Sequence, residues 1–270
     1  MRADLDPDND LADDLAIEET PPRRVVIGRG KVGGLLARAD NCAVITRQRG
    51  WSTLDDPAGD PIAVCVRNDD LAAVLASVPR HRRTDLVFMQ PGVLEPWLED
   101  HGLEGNTRGL LYFTVPAPGG QAVPGGVSRF TGPHANAMAL WLESLGLRTE
   151  VVGRKAFAAA ALELAIWSAA FGMLCERFGL DVAGVLGAHA AELTALGHEL
   201  CAVGRAGLGI DLDSDALLAN LRIYAGGAAR DRTGVQDWRW RGGWFHDAAR
   251  IHRIATPIQD ALIAKLKPSR

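Results

Sequence analysis

The sequence predicts an α/β domain followed by an all-α one. Three observations carry this expectation. Short apolar runs alternate with helical patterns up to about residue 152, one of those runs leads into closely spaced glycines, and from Ala156 onward the pattern is helical almost to the end. A chain of 270 residues is long enough for two such domains.

Residues 1–22 hold eight acids against one Arg and end in Pro21-Pro22. That composition buries too little apolar surface to offset its ordering entropy, so a disordered acidic tail is expected. The α/β domain, residues 23–153, opens on RVVIGRGKVGG from Arg24 to Gly34. Val25, Val26 and Ile27 read as a strand, and Gly28, Gly30 and Gly33 have G-x-G-x-x-G spacing before a helix from about Val32 to Ala39. This is the dinucleotide fingerprint of a Rossmann-type domain. Gly28 permits the turn, Gly30 lets backbone approach phosphates, Gly33 lets helix pack on strand, and the free N–H groups meet a pyrophosphate. Arg29, Lys31 and Val32 complete the expected cradle.

The second strand, Cys42–Ile45, ends in Thr46-Arg47-Gln48-Arg49. An acid at that end would accept from the ribose 2′-hydroxyl of NAD, whereas Arg47 and Arg49 suit a 2′-phosphate. NADP is therefore favoured, with two solvated arginines as the other reading. A third strand over Ile62–Val66 ends in Arg67, with Asp69 or Asp70 as cap for a helix to Val78. A fourth covers Leu86–Met89, followed by Gln90-Pro91-Gly92, and a fifth covers Leu110–Val115. Ligands bind outside the carboxyl ends of such strands, where Arg29, Arg47, Arg67 and Gln90 all fall. Pro116–Gly132 predicts a hairpin excursion, Asn136–Leu145 a helix ended by Gly146, and Thr149–Val152 the last strand.

The helical domain, residues 154–270, begins with an Ala-rich buried helix over Ala156–Arg177. Helices over Val182–Leu186, Ala191–Ala206, Ser214–Tyr224 and Trp244–Arg253 follow, and Pro257 starts the last. Asp213 or Ser214 would cap the third of these. The run Asp237–Phe245 contains Trp238, Trp240, Trp244, Arg239 and Arg241. Trp238 and Arg241 there are candidates for stacking on a planar ligand and gripping an anion, and an interdomain or dimer contact is the other reading.

Composition excludes several classes. A net charge of −4 argues against a nucleic-acid binder. No uninterrupted apolar run reaches the roughly 20 residues of a membrane span. The four cysteines are scattered without C-x-x-C spacing, which points to reduced thiols and a cytoplasmic setting. The seven His show no metal-ligand spacing, so no metal is expected.

Four stretches give the chain a wider resemblance. VVIGRGKVGG is followed by Arg47 after the second strand, and IAVCVRNDDLAAVL carries Arg67 at the end of the third. FMQPG is similar to an L-Q-N-G motif. GGWFHDAARIHRIATPIQDAL matches N-G-x-x-x-x-x-A-x-x-x-G-I-x-T-P-x-x-x-x-L. Over about residues 24–266 the chain resembles the ketopantoate reductase family, whose second domain is of the helical 6-phosphogluconate-dehydrogenase type. The resemblance implies NADP(H), hydride transfer to a 2-oxo acid or other carbonyl compound, and a homodimer through the helical domain. It also implies a catalytic Lys where this chain has Glu163 or Leu164, and substrate-binding Asn where it has Trp167 and Phe171. The loop Asn is Pro91, the family Ser falls near Ala225, and the family Glu matches Asp237. Hydride transfer to a ketone leaves an alkoxide that needs a donor beside it. Glu163, Asp237 and His246 are the remaining candidates, and Trp167 joins the substrate set. A nucleotide-binding sensor or scaffold without turnover is the alternative, and a purely structural protein is the third.

Overall fold

The computed structural model describes residues 24–55, 59–227 and 233–266, so the acidic tail lies outside the described residues. A seven-stranded sheet comes first. Its strands, in chain order, are β1 (Arg24–Ile27), β2 (Cys42–Ile45), β3 (Ile62–Val64), β4 (Leu86–Phe88), β5 (Thr107–Leu110), β8 (Ser128–Thr131) and β9 (Thr149–Val151). In space they run β2-β1-β3-β4-β5-β8-β9. The first five are parallel, and β8 runs antiparallel to β5. Val25–Ile27, β3 and β4 are buried throughout, which is why they read as unbroken apolar runs rather than alternating ones. The chain leaves β1 for β2 on one side and returns to β3 on the other. That reversal at β1 and β3 is where a doubly wound sheet opens a crevice.

Helices α1 (Lys31–Leu36), α2 (Leu71–Ser77), α3 (Glu95–Asp100) and α4 (Ala135–Glu143) cover the sheet. Glycine sets how closely α1 does so. Gly28 has φ +102°, and a Cβ there would lie 2.6 Å from the Cys65 carbonyl oxygen. A Cβ on Gly33 would lie 2.1 Å from the Gly28 carbonyl oxygen. Both positions are closed to any side chain.

Two expectations change here. The fifth strand is Thr107–Leu110, not Leu110–Val115. Gly109, which reads as loop, lies under the Phe130 ring, where a Cβ would come within 2.5 Å, and Thr107 registers on Val87. The chain leaves the sheet after Leu110, and Phe113–Thr114 (β6) pairs with Val123–Pro124 (β7) in a separate hairpin. Helix α3 is absent from the sequence reading because Pro91, Gly92 and Pro96 obscure its apolar period.

After Gly153 the structure is helical, over α5 (Arg154–Phe178), α6 (Val182–Ala188), α7 (Ala190–Leu208), α8 (Ser214–Gly227), α9 (Gly242–His252) and α10 (Pro257–Ile263). Asp213 Oδ1 accepts from the N–H groups of Asp215 and Ala216 at 2.9 and 3.0 Å, capping α8 as expected. Helix α5 is long and apolar enough to cross a membrane, but 67% of its most apolar window is buried inside the protein. It is the core helix, packed chiefly against α7, α6, α9 and α10.

Gly33→Ala should destabilise the protein by about 2–3 kcal/mol in denaturant unfolding, because the helix must lift from the strand. Gly30→Ala, whose Cβ meets nothing within 4 Å, should stay within about 0.5 kcal/mol of the wild type.

Candidate functional site

The crevice at the β1/β3 reversal holds two adjoining cavities that share Val66. One, of about 410 Å³, lies beyond the ends of β1 and β2 against α2 and is lined by Arg29, Thr46, Arg47, Trp51, Asp70 and Ser77 among others. The other, of about 310 Å³, lies beyond β1, β3 and β4, and its lining includes Gly30, Lys31, Val32, Cys65, Asn68 and Asp237. Gly30 stands between them as the N-cap of α1, with extended backbone (φ −72°, ψ −161°). Where Gly28 and Gly33 are packed tight, the space beside Gly30 is open. Fingerprint residues Gly28–Val32 line one cavity or the other, and Gly33 is buried beneath them as packing.

Asp70 of the first cavity is approached by Arg47 of the same cavity and by Arg67, which lines the second. Arg47 Nη2 donates to Asp70 Oδ1 at 2.5 Å, and Arg67 Nε lies 3.9 Å from Asp70 Oδ2. Asp70 stands at the N-cap of α2, yet its side chain makes no capping bond. Arg49 is exposed and outside the cavity, at the far side of the tight turn whose backbone pairs Thr46 with Arg49. Trp51, in a 3-10 helix over Trp51–Asp55, supplies an aromatic wall that the sequence reading missed; the signal was an aromatic residue one place after the loop glycine Gly50.

In the second cavity the amide side chains are committed, while Lys31 and Arg67 line it as cations. Gln90, placed among the cofactor residues, is buried, and its side chain bridges strand ends. Its Nε2 donates to the carbonyls of Val64 (2.8 Å) and Val66 (3.2 Å), and its Oε1 accepts from Met89 N (3.1 Å). Only its surface borders the cavity. Asn68 Nδ2 likewise donates to Pro91 O at 2.9 Å. The remaining lining is largely apolar: Val64, Val66, Met89, Pro91 and Leu111. Burial pushes the Cys65 thiol up to about 12, with Cys42 adding to the effect. Burial also pushes Cys42 up to about 11, partly offset by Arg24.

Of the three catalytic candidates, Asp237 alone lines this cavity. It adopts a left-handed conformation (φ +45°, ψ +48°), and its Oδ2 accepts from Arg241 Nη2 at 3.3 Å. Glu163 and His246 do not line it. Among the described residues, Glu163 Oε1 is buried without a hydrogen-bond partner, as is the Nε1 of Trp167 one turn later. Trp167 packs into the helical core beside the fully buried Phe171, ring centroids 5.4 Å apart, so it is not a substrate wall either. His246 Nδ1 lies 3.5 Å from Asp260 Oδ1 on α10.

The Trp-Arg run resolves as an interdomain contact rather than a ligand platform. Trp240 inserts into the sheet's core and donates from Nε1 to Asp69 Oδ1 at 3.1 Å. Its carbonyl accepts from Val93 N at 2.8 Å and lies against Gly92, where a Cβ would be 2.3 Å away. Val93 in turn packs in the helical core. Trp238 lies beneath Gly242 and Gly243, and Trp244 against Gly207. Arg241 Nη1 donates to Ser168 Oγ on α5 at 2.6 Å, and burial lowers its pKa, with Asp237 opposing. The gap left among Trp238, Arg241 and α5 is about 10 Å³, too small for a substrate.

No protein-family model matches the chain, and no curated protein matches it in sequence. Solved structures match it in fold. A ketopantoate reductase from Ralstonia eutropha is 18% identical, covering 89% of this chain and 96% of its own, with a TM-score of 0.69. A dimeric ketopantoate reductase from Staphylococcus aureus is 16% identical over the same shares, also with a TM-score of 0.69. A D-mandelate dehydrogenase in ternary complex with NADH and anilino(oxo)acetate is 13% identical, covering 88% of this chain and 96% of its own, with a TM-score of 0.66. The arrangement of sheet followed by α5–α10 is the ketopantoate reductase fold, carried by a divergent sequence.

Two outcomes follow from these contacts. Trp240→Ala should cost about 3–5 kcal/mol in denaturant unfolding, since it empties a core site and frees the Asp69 carboxylate. Iodoacetamide at pH 8 should label Cys42 and Cys65 far more slowly in the folded protein than in guanidinium, because raised pKa values keep both thiols protonated there.

Proposed function

We propose that the chain is an NADP-binding oxidoreductase of the ketopantoate reductase type, with an altered substrate end that takes a 2-oxo acid or another small carbonyl compound. The observation that carries this reading is the pair of adjoining cavities across Gly30, at the sheet's reversal point and open beside the middle fingerprint glycine. The pyrophosphate is held at the N-terminus of α1 by Gly30, Lys31, Val32 and Gly33, with Arg29 beside it. Trp51 faces the adenine, and Arg47 and Arg67 take the 2′-phosphate. Val64, Val66, Met89, Pro91 and Leu111 surround the nicotinamide end and exclude water from it. The bound dinucleotide supplies a hydride. Asp237, the one carboxylate lining that end, is left to hold the proton that accompanies it.

A second reading is a nucleotide-binding sensor. It is favoured by one observation: the positions matching the family's Lys and Asn are Glu163, Trp167 and Phe171, and none of them lines the cavity. In either reading we take the protein as a cytoplasmic homodimer joined through its helical domain; a fold relative that is dimeric supports the dimer.

Fluorescence titration with NADPH tests the site. The wild type should saturate, Gly30→Asp should weaken binding more than about 100-fold, and Arg47→Ala about tenfold. A wild type that binds no NADPH refutes both readings. NADPH oxidation with a panel of 2-oxo acids, and NADP reduction with the matching 2-hydroxy acids, then separates them. Asp237→Asn should lower kcat by about 100-fold or more while Glu163→Ala and His246→Ala retain it. Turnover untouched by Asp237→Asn removes the role given to that residue, and no turnover with any compound leaves the sensor.

A further inference from the structure

The adenosine cavity contains a charge that binding of a 2′-phosphate leaves unexplained. Asp70 faces into it, 2.5 Å from Arg47 and 3.9 Å from Arg67. The two arginine side chains are 73% and 83% exposed, and that of Asp70 only 29%. The acid is therefore the anchored member and the guanidinium groups the movable ones. The Asp70 backbone N–H is bonded to the Arg67 carbonyl at 3.0 Å, which fixes the residue at the start of α2. Its carboxylate is not spent on capping that helix. Its neighbour Asp69 is already committed to Trp240 Nε1. Arg29 is the second cation lining that cavity, and Arg67 lines the adjoining one.

We infer that Asp70 sets the choice between a phosphorylated and an unphosphorylated adenosine ribose. This rests on the dinucleotide reading of the crevice. With Arg47 held, Asp70 retains lone pairs that accept from a ribose 2′-hydroxyl, the interaction that selects NADH. With a 2′-phosphate present, Arg47 and Arg67 turn to the phosphate, and Asp70 is left beside a second anion. Exposed ion pairs of this kind are weak, so a phosphate displaces the acid, but against carboxylate–phosphate repulsion. The cavity thus admits both cofactors. Its preference for NADPH is smaller than two arginines alone would give, and Asp70 is what reduces it.

The test is a pair of titrations, NADPH and NADH, at one fixed ionic strength, on the wild type, Asp70→Asn, Asp70→Glu and Arg47→Ala, with thermal unfolding confirming that each variant is folded. The wild type should bind both cofactors. Asp70→Asn should raise the ratio of NADPH to NADH affinity about tenfold or more, Asp70→Glu should keep the wild-type ratio, and Arg47→Ala should lower it about tenfold. A ratio in Asp70→Asn within about twofold of the wild type, or a lower one, overturns the inference while the dinucleotide site stands. A wild type that binds neither cofactor overturns the dinucleotide reading, and this inference with it.

Discussion

The Trp240 carbonyl occupies the space that a side chain on residue 92 would need, and its indole sits in the core of the sheet although the residue comes from the helical half of the chain. Val93 makes the reverse crossing into the helical core. The two halves are therefore joined by an exchange of buried groups, with a backbone hydrogen bond between the exchanged residues. Everything on the far wall of the crevice depends on this. Asp237 lies three residues before Trp240 in a left-handed conformation that a non-glycine residue holds only when its surroundings determine it, and the indole anchored downstream does that. Arg241, immediately after, is drawn against α5 by Ser168. One aromatic anchor thus sets the position of the carboxylate that lines the second cavity.

The two ends of the crevice use different physics. Around the cavity at Arg29 and Arg47 the cationic side chains are exposed and movable, so any recognition of an anion there is electrostatic, cheap to rearrange and sensitive to salt. Around the other cavity the polar groups are spent on backbone: Gln90 joins the ends of β3 and β4, and Asn68 holds the Pro91 carbonyl. What remains is a largely apolar wall bordered by Lys31, Arg67 and Asp237. A site of that kind orients a flat ring and keeps water out, and it offers few groups to a polar substrate. The glycine fingerprint borders open space at the crevice, while Trp167 and Phe171 pack away from it in the helical core.

How much of this was legible in the sequence depended on whether a residue's role is local. The strand–glycine–helix fingerprint, the buried runs of β3 and β4 and the apolar length of α5 are written in spacing and composition, and they were read correctly. So was the convergence of Arg29, Arg47 and Arg67 on one edge of the sheet, because strand ends in a parallel sheet lie together. Strand β5 was misplaced because Gly109 is chosen by a ring from β8, a partner 21 residues later in the chain. Gln90 was at the right edge with the wrong task, since the sequence shows its position and not which carbonyls its amide meets. Glu163 and His246 failed for a related reason. A helix presents every azimuth in turn, and only the packing of α5 and α9 decides which residues face the crevice. Asp70 appeared as a helix cap, the common use of Asp at such a place, and its ion pairs depend on Arg47, 23 residues earlier.

The three fingerprint glycines are alike in spacing but carry different information about the past of the molecule. Gly28 and Gly33 are enforced by the chain itself, since any larger residue collides with Cys65 or with the backbone of Gly28. They would persist in a descendant that had lost every ligand, because folding alone protects them. Gly30 has no such protection. Its vacant side-chain site faces open space, so drift to alanine or serine would be invisible to stability. A glycine held there across related chains would point to something that enters from outside. Across related chains the identity of that single residue would therefore separate lineages that still hold a nucleotide from those that keep only its scaffold.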